Sequence, residues 1–243
     1  MHLMGCTFHR LWHQLTLKLF EFFDDPSSKP FRVETFEKFV RDFETRLNQL
    51  RLVEMAVKVS KEIDSRLIML LFSQNHVNTC LSADPQTHLT FLTSLLSRID
   101  TKISQEAHVL LLATIAHAKL LYSDLEGTKT DMDAAWNVLD ELSSVDNTVN
   151  AAYYGVAADY YKVRTYFFLS IELRNEKILM QAQAKAEYAP YYRNSLLFLA
   201  CVDPATDMSI EERLIRAHDL GISAFLGDTI YNFGELVCPG ASD

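Results

Sequence analysis

Apolar positions along this chain recur mainly at intervals of three and four residues, which is the spacing of one face of an α-helix. The clearest run predicts a helix whose apolar face contains Tyr191, Ser195, Phe198 and Val202. A proline pushes the residue before it out of helical geometry, so Asp203-Pro204 is expected to end this helix. Ser209 and Glu212 have the spacing of a capping box, which predicts that another helix begins there.

The helix that follows Ser209 has an apolar stripe, which we expect to be its buried side. The stripe consists of Ile210, Leu214, Ala217, Gly221 and Ala224. Because these side chains become smaller along the stripe, another helix can approach its second half closely. The sequence Leu226-Gly227-Asp228 predicts the end of this helix and the N-cap of a further one.

The same spacing predicts seven helices upstream, over residues 11–23, 33–47, 52–63, 84–99, 104–122, 128–142 and 151–163. The first is expected to bury Leu15, Leu19 and Phe22. The apolar faces expected on four of the others are Phe36, Phe39, Val40 and Phe43; Leu52, Met55, Ala56 and Val59; Met132, Ala135, Trp136, Leu139 and Leu142; and Tyr153, Ala157 and Tyr160. Residues 104–122 are apolar almost all round, which is typical of a helix buried at the centre of a domain. Gly127 is expected to end that segment, and Thr128 or Thr130 to cap the next helix.

Short loops between these helices predict an all-α fold of antiparallel hairpins. Helix pairs begin near Asp84, Thr128 and Tyr188, and intervals of roughly 40 residues are typical of a TPR-like solenoid, for which we expect a right-handed superhelix. We predict a single helical-repeat array over residues 1–243, with N-terminal helices at 11–63, central pairs at 84–163 and C-terminal helices at 188–237. Residues 64–82 and 164–181 interrupt the periodicity and are predicted to be insertions, although residues 165–185 could also extend the preceding helix without a break.

Composition narrows the classes of partner. The chain has only 7 Gly and 6 Pro, too few for the turns of a β-sandwich, and its formal charge of -9 disfavours nucleic acid and anionic membranes as partners. The longest apolar runs, residues 67–72 and 109–116, are far shorter than the roughly 18 residues of a membrane span. The four cysteines form no C-x-x-C pair, which favours a reduced compartment such as the cytosol or nucleus.

Residues that could carry chemistry are few. The chain contains no P-loop, dinucleotide-binding, nucleophile-elbow or H-E-x-x-H motif. His9 and His13 have a spacing that could hold a metal, but their segment offers no further ligand, so a solvated helix edge is the better interpretation. His108 and His117 lie in the apolar helix, where a hydrogen-bonded core histidine is more common than a catalytic base.

The remaining candidates have simpler interpretations. Asp24-Asp25 is similar to half of the metal motif of all-helical prenyltransferases, but the second half is missing, and a loop N-cap fits better. Cys201 lies on an apolar face and is expected to pack as a small apolar residue. We therefore expect no catalytic residue, cofactor, metal or small-molecule substrate.

Two sets of residues are candidate contacts for protein partners. The acidic set, predicted to lie opposite the apolar stripe that contains Trp136, is either a solvated face or a contact for a basic partner. It consists of Asp131, Asp133, Asp140 and Glu141. The apolar set near the C-terminus is expected to lack cover and to self-associate or bind a chaperone. It consists of Ile230, Phe233, Leu236 and Val237.

Several blocks together resemble one family. They are LWHQLTLKLFEF (11–22), FEKFVRDFETRLNQLRLVEM (36–55), ADPQTHLTFL (83–92), YYRNSLLFLACVD (191–203) and RAHDLGISAFLGDTIYNFGELV (216–237). The chain is similar in these blocks to the 26S proteasome non-ATPase regulatory subunit 13 family, components of the lid of the 19S regulatory particle. The last block is the most specific of them.

The resemblance implies a PCI-type helical arm with a structural role in lid assembly and ubiquitin-dependent protein degradation, in proteasomes of the cytoplasm and nucleus. It implies other lid subunits as partners and carries over no catalytic residue. In the family the arm leads into a winged-helix PCI domain, which we expect to be absent here because the sequence ends soon after YNFGEL. Two alternatives are a helical scaffold of the related signalosome or translation-initiation complexes, and an all-helical enzyme with a site between helices.

Overall fold

The computed structural model describes residues 14–43, 48–59, 85–99, 104–172, 177–227 and residue 230. The regular elements within these ranges are helices, so the predicted all-α class is confirmed. None of the helices in the described ranges combines the length and apolar character needed to cross a membrane. The chain forms two compact units, Met1–Ala118 and Lys119–Asp243.

The first unit contains five helices in the ranges described. They are α1 (14–24), α2 (Arg32–Phe43), α3 (49–59), α4 (Pro85–Arg98) and α5 (Gln105–Leu121), whose last turn runs into the second unit. Between α1 and α2, the predicted loop contains a short 3-10 helix, Pro26–Phe31. Asp25 caps it by accepting a hydrogen bond from the Ser27 amide at 2.9 Å, which confirms the N-cap interpretation of Asp24-Asp25.

Burial in the first unit confirms most of the predicted apolar faces. On α2 the side chains of Phe36, Phe39 and Val40 are buried, and on α3 all four predicted residues (Leu52, Met55, Ala56 and Val59) have almost no exposed surface. The face predicted for α1 is wrong, because Leu15 and Phe22 are partly exposed whereas Phe23 is buried. Helix α1 has apolar residues on several of its own sides, so their spacing does not show which side is buried. In the structure the side with Phe23 packs against Phe36.

Helix α5 is buried on nearly every side, as its composition predicts. Its two histidines are half-buried. Nδ1 of His108 is buried and has no hydrogen-bond partner among the described residues. The prediction of a hydrogen-bonded core histidine is therefore wrong for this atom. Burial lowers the pKa of His108 from its ordinary value of 6.5, because the charged imidazolium is disfavoured there.

This histidine predicts acid sensitivity. Because the unfolded chain protonates His108 at a higher pH than the folded chain, its contribution to stability is complete above about pH 6.5 and is lost as the pH falls toward the folded pKa. When the pH is lowered from about 7.5 to about 5.5, the free energy of unfolding should therefore fall less for His108→Gln than for the parent. Urea denaturation at each pH measures it. His218→Gln is the control, since His218 is 72% exposed. Equal pH dependence in the parent and both variants would contradict the prediction.

Four helices of the second unit lie in the described ranges. They are α6 (Leu125–Glu141), α7 (Asn147–Glu172), α8 (Lys177–Cys201) and α9 (Ile210–Leu226). The start of α6 corrects the prediction that Gly127 ends the preceding segment. Asp124 caps α6 by accepting from the Gly127 amide at 2.9 Å, and a Cβ on Gly127 would lie 2.2 Å from the Asp124 carboxylate. Glycine therefore occupies the first turn of α6 because it leaves room for the capping side chain.

Helices α7 and α8 form a long hairpin. Tyr153, Ala157 and Tyr160 of α7 are buried as predicted, and a Cβ on Gly155 would lie 3.3 Å from the Phe198 ring of α8. Residues 164–172 continue α7, and α8 begins at Lys177 rather than near Tyr188, so Pro190 lies within the helix. The alternative of one unbroken helix over residues 165–185 is wrong, because α7 ends at Glu172.

Some predictions fall outside the described residues. They concern residues 11–13, 44–47, 60–63, 64–82 and Asp84. The status of 64–82 and 164–181 as insertions also stays a prediction, because helix positions do not report on evolutionary history.

Candidate protein-interaction surfaces

Two of the candidates for chemistry, Asp24 and Cys201, have structural explanations. Within the described ranges, His, Cys, Asp and Glu side chains form no group that could hold a metal ion. Asp24 pairs with Lys58 at 2.6 Å, and burial raises the pKa of the Cys201 thiol, which makes it a weaker nucleophile at neutral pH. His9 and His13 lie outside the described residues. The remaining candidate sites are surfaces that other proteins could contact.

The acidic residues of α6 do not form a single cluster. The carboxylate of Asp131 lies 2.6 Å from the Lys119 ammonium and is only 16% exposed. Asp133, by contrast, is 58% exposed and pairs with Lys129 one helical turn away. Asp140 and Glu141 are also exposed. Asp131 therefore lies on a different side of the helix from Asp133 and Asp140, which are two and nine residues further along.

Trp136 lies beside the exposed acids and not opposite them. It is 42% exposed, and Asp133 and Asp140 precede and follow it by three and four residues, the spacing of neighbours on one helix face. Its ring contacts Tyr153 of α7, with centroids 5.7 Å apart. Asp133, Asp140 and Glu141 are exposed, as predicted for the side opposite the apolar stripe. Trp136 is not buried with that stripe, because α6 buries Met132, Ala135 and Leu139 instead.

The second predicted contact set is only partly described. Ile230 is half-buried and packs against a cluster formed by Tyr192 of α8 and by Leu220 and Ala224 of α9. It is therefore joined to the core of this unit. Phe233, Leu236 and Val237 lie outside the described residues.

Helix α9 begins and ends as the sequence predicts, but it buries a different side. Ser209 caps it by accepting from the Glu212 amide at 3.1 Å, and α8 ends at Cys201 before Asp203-Pro204. Of the stripe expected to be buried, Ile210 and Leu214 are 70% and 67% exposed. The helix buries Leu220 and Ser223, together with Ala224 of the predicted stripe. The predicted stripe is thus wrong over its first half.

The exposed side of α9 carries several large apolar side chains around exposed His218, and they are called here the α9 face. It consists of Ile210, Leu214, Ile215, Ile222, Phe225 and Leu226, each at least 38% exposed. Phe225 is 79% exposed. Single exposed apolar residues are common on proteins, but several on one helix indicate a site of contact.

Ion pairs and ring contacts connect α9 to the α7–α8 hairpin. The Lys162 ammonium of α7 lies 2.6 Å from the Asp219 carboxylate, and the Arg216 guanidinium lies 3.6 Å from Asp159 of α7. The same guanidinium stacks over the Phe198 ring of α8 at 4.6 Å from its centroid. Burial acts to lower the pKa of Lys162, but hydrogen bonding and the charge of Asp219 outweigh it, so the pKa is raised.

A third ion pair lies between α7 and α8. The Arg164 guanidinium is 3.1 Å from the Glu187 carboxylate, which is only 11% exposed. Burial raises the pKa of Glu187 and outweighs the opposing effect of the Arg164 charge. All three ion pairs join different helices, so they help to set how α7, α8 and α9 are aligned.

A cavity of about 110 Å³ opens between α7, α8 and α9. Its lining, called here the tyrosine pocket, consists of Lys162, Thr165, Tyr166, Tyr188, Tyr191, Asp219 and Ile222. Tyr191 is buried at its base, and Tyr166 is 57% exposed. Ile222 belongs both to the pocket and to the α9 face, so the two features are continuous.

Comparison with known proteins agrees with this architecture. The family model for PSD13 N-terminal repeats matches residues 6–168 and 178–239. This chain belongs to that family. The resemblance drawn from the sequence blocks is therefore confirmed. The match includes residues 64–82 and leaves out residues 169–177.

Three relatives of this PSD13-family chain are named as regulatory subunits of the 26S proteasome. The probable 26S proteasome regulatory subunit rpn9 of Schizosaccharomyces pombe is 32% identical over 228 residues, 94% of this chain and 49% of the relative. The 26S proteasome regulatory subunit RPN9 of Saccharomyces cerevisiae is 30% identical over 94% of this chain and 51% of the relative. The 26S proteasome non-ATPase regulatory subunit 13 homolog B of Arabidopsis thaliana is 30% identical, with 94% and 50% covered. The chain spans about half the length of these relatives.

Sequence reasoning missed the α9 face and the tyrosine pocket of this PSD13-family chain. One signal was available, since α9 contains more large apolar residues than one face can hold. The pocket had no local signal, because its residues come from three helices whose alignment depends on tertiary packing.

Proposed function

We propose that this chain is the helical-repeat part of a structural, non-catalytic subunit in the lid of the 26S proteasome regulatory particle. There it would support lid assembly and thereby ubiquitin-dependent protein degradation. The observation that carries the proposal is the match to PSD13 N-terminal repeats over residues 6–168 and 178–239, in a family whose relatives are named as 26S proteasome regulatory subunits. The proposed partners are other lid subunits, in the cytoplasm and nucleus, and the role requires no cofactor, nucleic acid or small-molecule substrate.

The packing of the second unit is suited to such a role. Helix α7 has 26 residues and α8 has 25, so each is about 40 Å long at 1.5 Å per residue. Each helix in a stacked array buries one side on its neighbours and leaves another side for partners. Ion pairs across α7, α8 and α9 keep that outer side in a defined orientation.

Affinity purification of the tagged chain tests the proposal. In cells that express it at native levels, purification in the presence of ATP should recover other lid subunits in constant ratio. The tagged chain should also migrate with proteasomes that cleave a fluorogenic peptide in a native gel. Migration of the chain only as a free protein, with no lid subunit recovered, would refute the role.

The exposed acids of α6 are proposed as one contact within this role, since Trp136 between them adds an apolar anchor. The double variant Asp133→Lys and Asp140→Lys should lower recovery of lid subunits about threefold or more, because it repels a basic partner surface. Glu34→Lys is the control, because Glu34 forms a similar exposed pair with Lys38 one turn away on α2. Equal recovery with the double variant and the control would exclude this contact.

A further inference from the structure

The α9 face is chemically uneven along its length. Ile210, Leu214 and Phe225 are its most exposed apolar residues, and exposed Glu211 lies beside Leu214 at its N-terminal end. The turn before α9 adds exposed Asp203 and Asp207. The last turn has no basic residue. The surface is therefore mainly apolar, with exposed His218 near its middle and acidic residues at one end.

The tyrosine pocket extends this surface to one side. Its volume of about 110 Å³ suits one large apolar side chain, since a cavity of about 150 Å³ can hold a benzene molecule. The charges at its wall are already paired, because Asp219 lies 2.6 Å from Lys162 and 3.3 Å from His218. A neutral side chain can therefore enter without leaving a buried charge unpaired.

A second copy of the chain is a poor occupant of this surface. In a parallel pair of α9 helices the acidic ends would meet and repel each other. In an antiparallel pair each acidic end would meet the Phe225 end of the other copy, which offers no Lys or Arg. Arg213 and Arg216 are half-buried, and Arg216 is engaged with Asp159 and Phe198.

We propose that the α9 face and the tyrosine pocket bind an amphipathic helix of a partner protein. The apolar side of that helix packs on Ile210, Leu214 and Phe225, and one large apolar side chain fills the pocket beside Ile222. Basic residues near one of its ends lie next to Glu211 and Asp207. This inference rests on the proposed scaffold role, since the partner helix would belong to another protein of the assembly.

A synthetic probe tests the surface directly. The probe is a fluorescent amphipathic helix of about 18 residues made of Leu and Lys, compared by anisotropy with the same peptide carrying Glu for Lys. The purified full chain should bind the Lys peptide at least tenfold more tightly than the Glu peptide. Ile222→Glu should weaken that binding at least tenfold, because it places a charge at the mouth of the pocket.

Leu197→Glu is the matched control, since Leu197 of α8 is 39% exposed and Ile222 is 38% exposed. It should bind the Lys peptide as the parent does, and circular dichroism should show that both variants fold. Equal weakening by the two variants would mean that binding does not depend on the pocket. No weakening by either would mean that the peptide is attracted only by overall negative charge. Either result would overturn the inference.

Cross-linking in cells identifies the occupant. A photoreactive benzoylphenylalanine in place of Phe225 should cross-link to a helical peptide of another protein that carries apolar residues on one side and Lys or Arg near one end. The same replacement at Phe31, 60% exposed in the first unit, is the control position. Cross-links only to a second copy or to residues 231–243 of the same chain would overturn the inference, as would none above the control.

The two proposals can fail separately. Recovery of lid subunits without a cross-link from Phe225 would leave the scaffold role standing and remove the docking surface. Peptide binding blocked by Ile222→Glu, without recovery of lid subunits, would remove the proteasomal role and keep the surface.

Discussion

Phe36→Ala is expected to lower the free energy of unfolding by about 3–5 kcal/mol, the usual cost of removing a buried aromatic ring. Phe36 is 1% exposed, and its ring packs edge to face on Phe23 at 6.4 Å between centroids. Removing it takes away ring contacts and leaves a cavity that α1 and α2 can fill only in part. Guanidinium denaturation followed by circular dichroism measures the loss.

Phe31→Ala is the matched control for this variant. Phe31 lies in the 3-10 helix just before α2 and is 60% exposed. Its replacement should change the unfolding free energy by no more than about 0.5 kcal/mol, as for most surface substitutions. Losses of the same size in the two variants would mean that the core of the first unit does not lie where the structure places it.

Leu220→Ala is expected to destabilise the chain by about 2–4 kcal/mol. Leu220 is 7% exposed and packs with Tyr192 and Ala224 in the cluster that joins α9 to α8. Leu214→Ala, the same substitution on the same helix, should cost less than about 1 kcal/mol because Leu214 is 67% exposed. The free energies of unfolding of the two variants decide which side of α9 is buried.

The opposite order would support the stripe predicted from the sequence. Leu214 and Leu220 are six residues apart, which corresponds to about 600° of helical rotation and places them on different sides of α9. They cannot both face α8. A larger loss for Leu214→Ala would therefore also remove the basis of the docking surface.

The packing of α9 has a physical explanation that its own sequence does not reveal. The buried side of the helix contains small or medium residues, Leu220, Ser223 and Ala224, and beside them Arg216 and Asp219. The two charged residues are engaged by Asp159 and Lys162 of α7. Their partners lie on another helix, so the sequence of α9 alone predicts that Arg216 and Asp219 face solvent. It therefore predicts that Ile210 and Leu214 are buried in their place.

Helix α6 shows the same limit. Its buried residues Met132, Ala135 and Leu139 were predicted correctly, because they are apolar at helical spacing. Trp136 was assigned to the same stripe, yet it lies at the edge and packs on Tyr153. Asp131 was grouped with exposed acids, although Lys119 holds it at the other side of the helix. Contacts with neighbouring elements decided both positions.

The sequence by itself determined the helical class, the caps of α9 and of the 3-10 helix, the buried faces of α2, α3 and α5, and the family. These depend on local spacing, capping chemistry and block similarity, all of which can be seen along the chain. Only the tertiary structure decided which side of α1 and α9 is buried, where α8 begins and where the tyrosine pocket lies. Those features depend on which residues of distant segments meet, and a helix with apolar residues on several sides is oriented by the surfaces available to it.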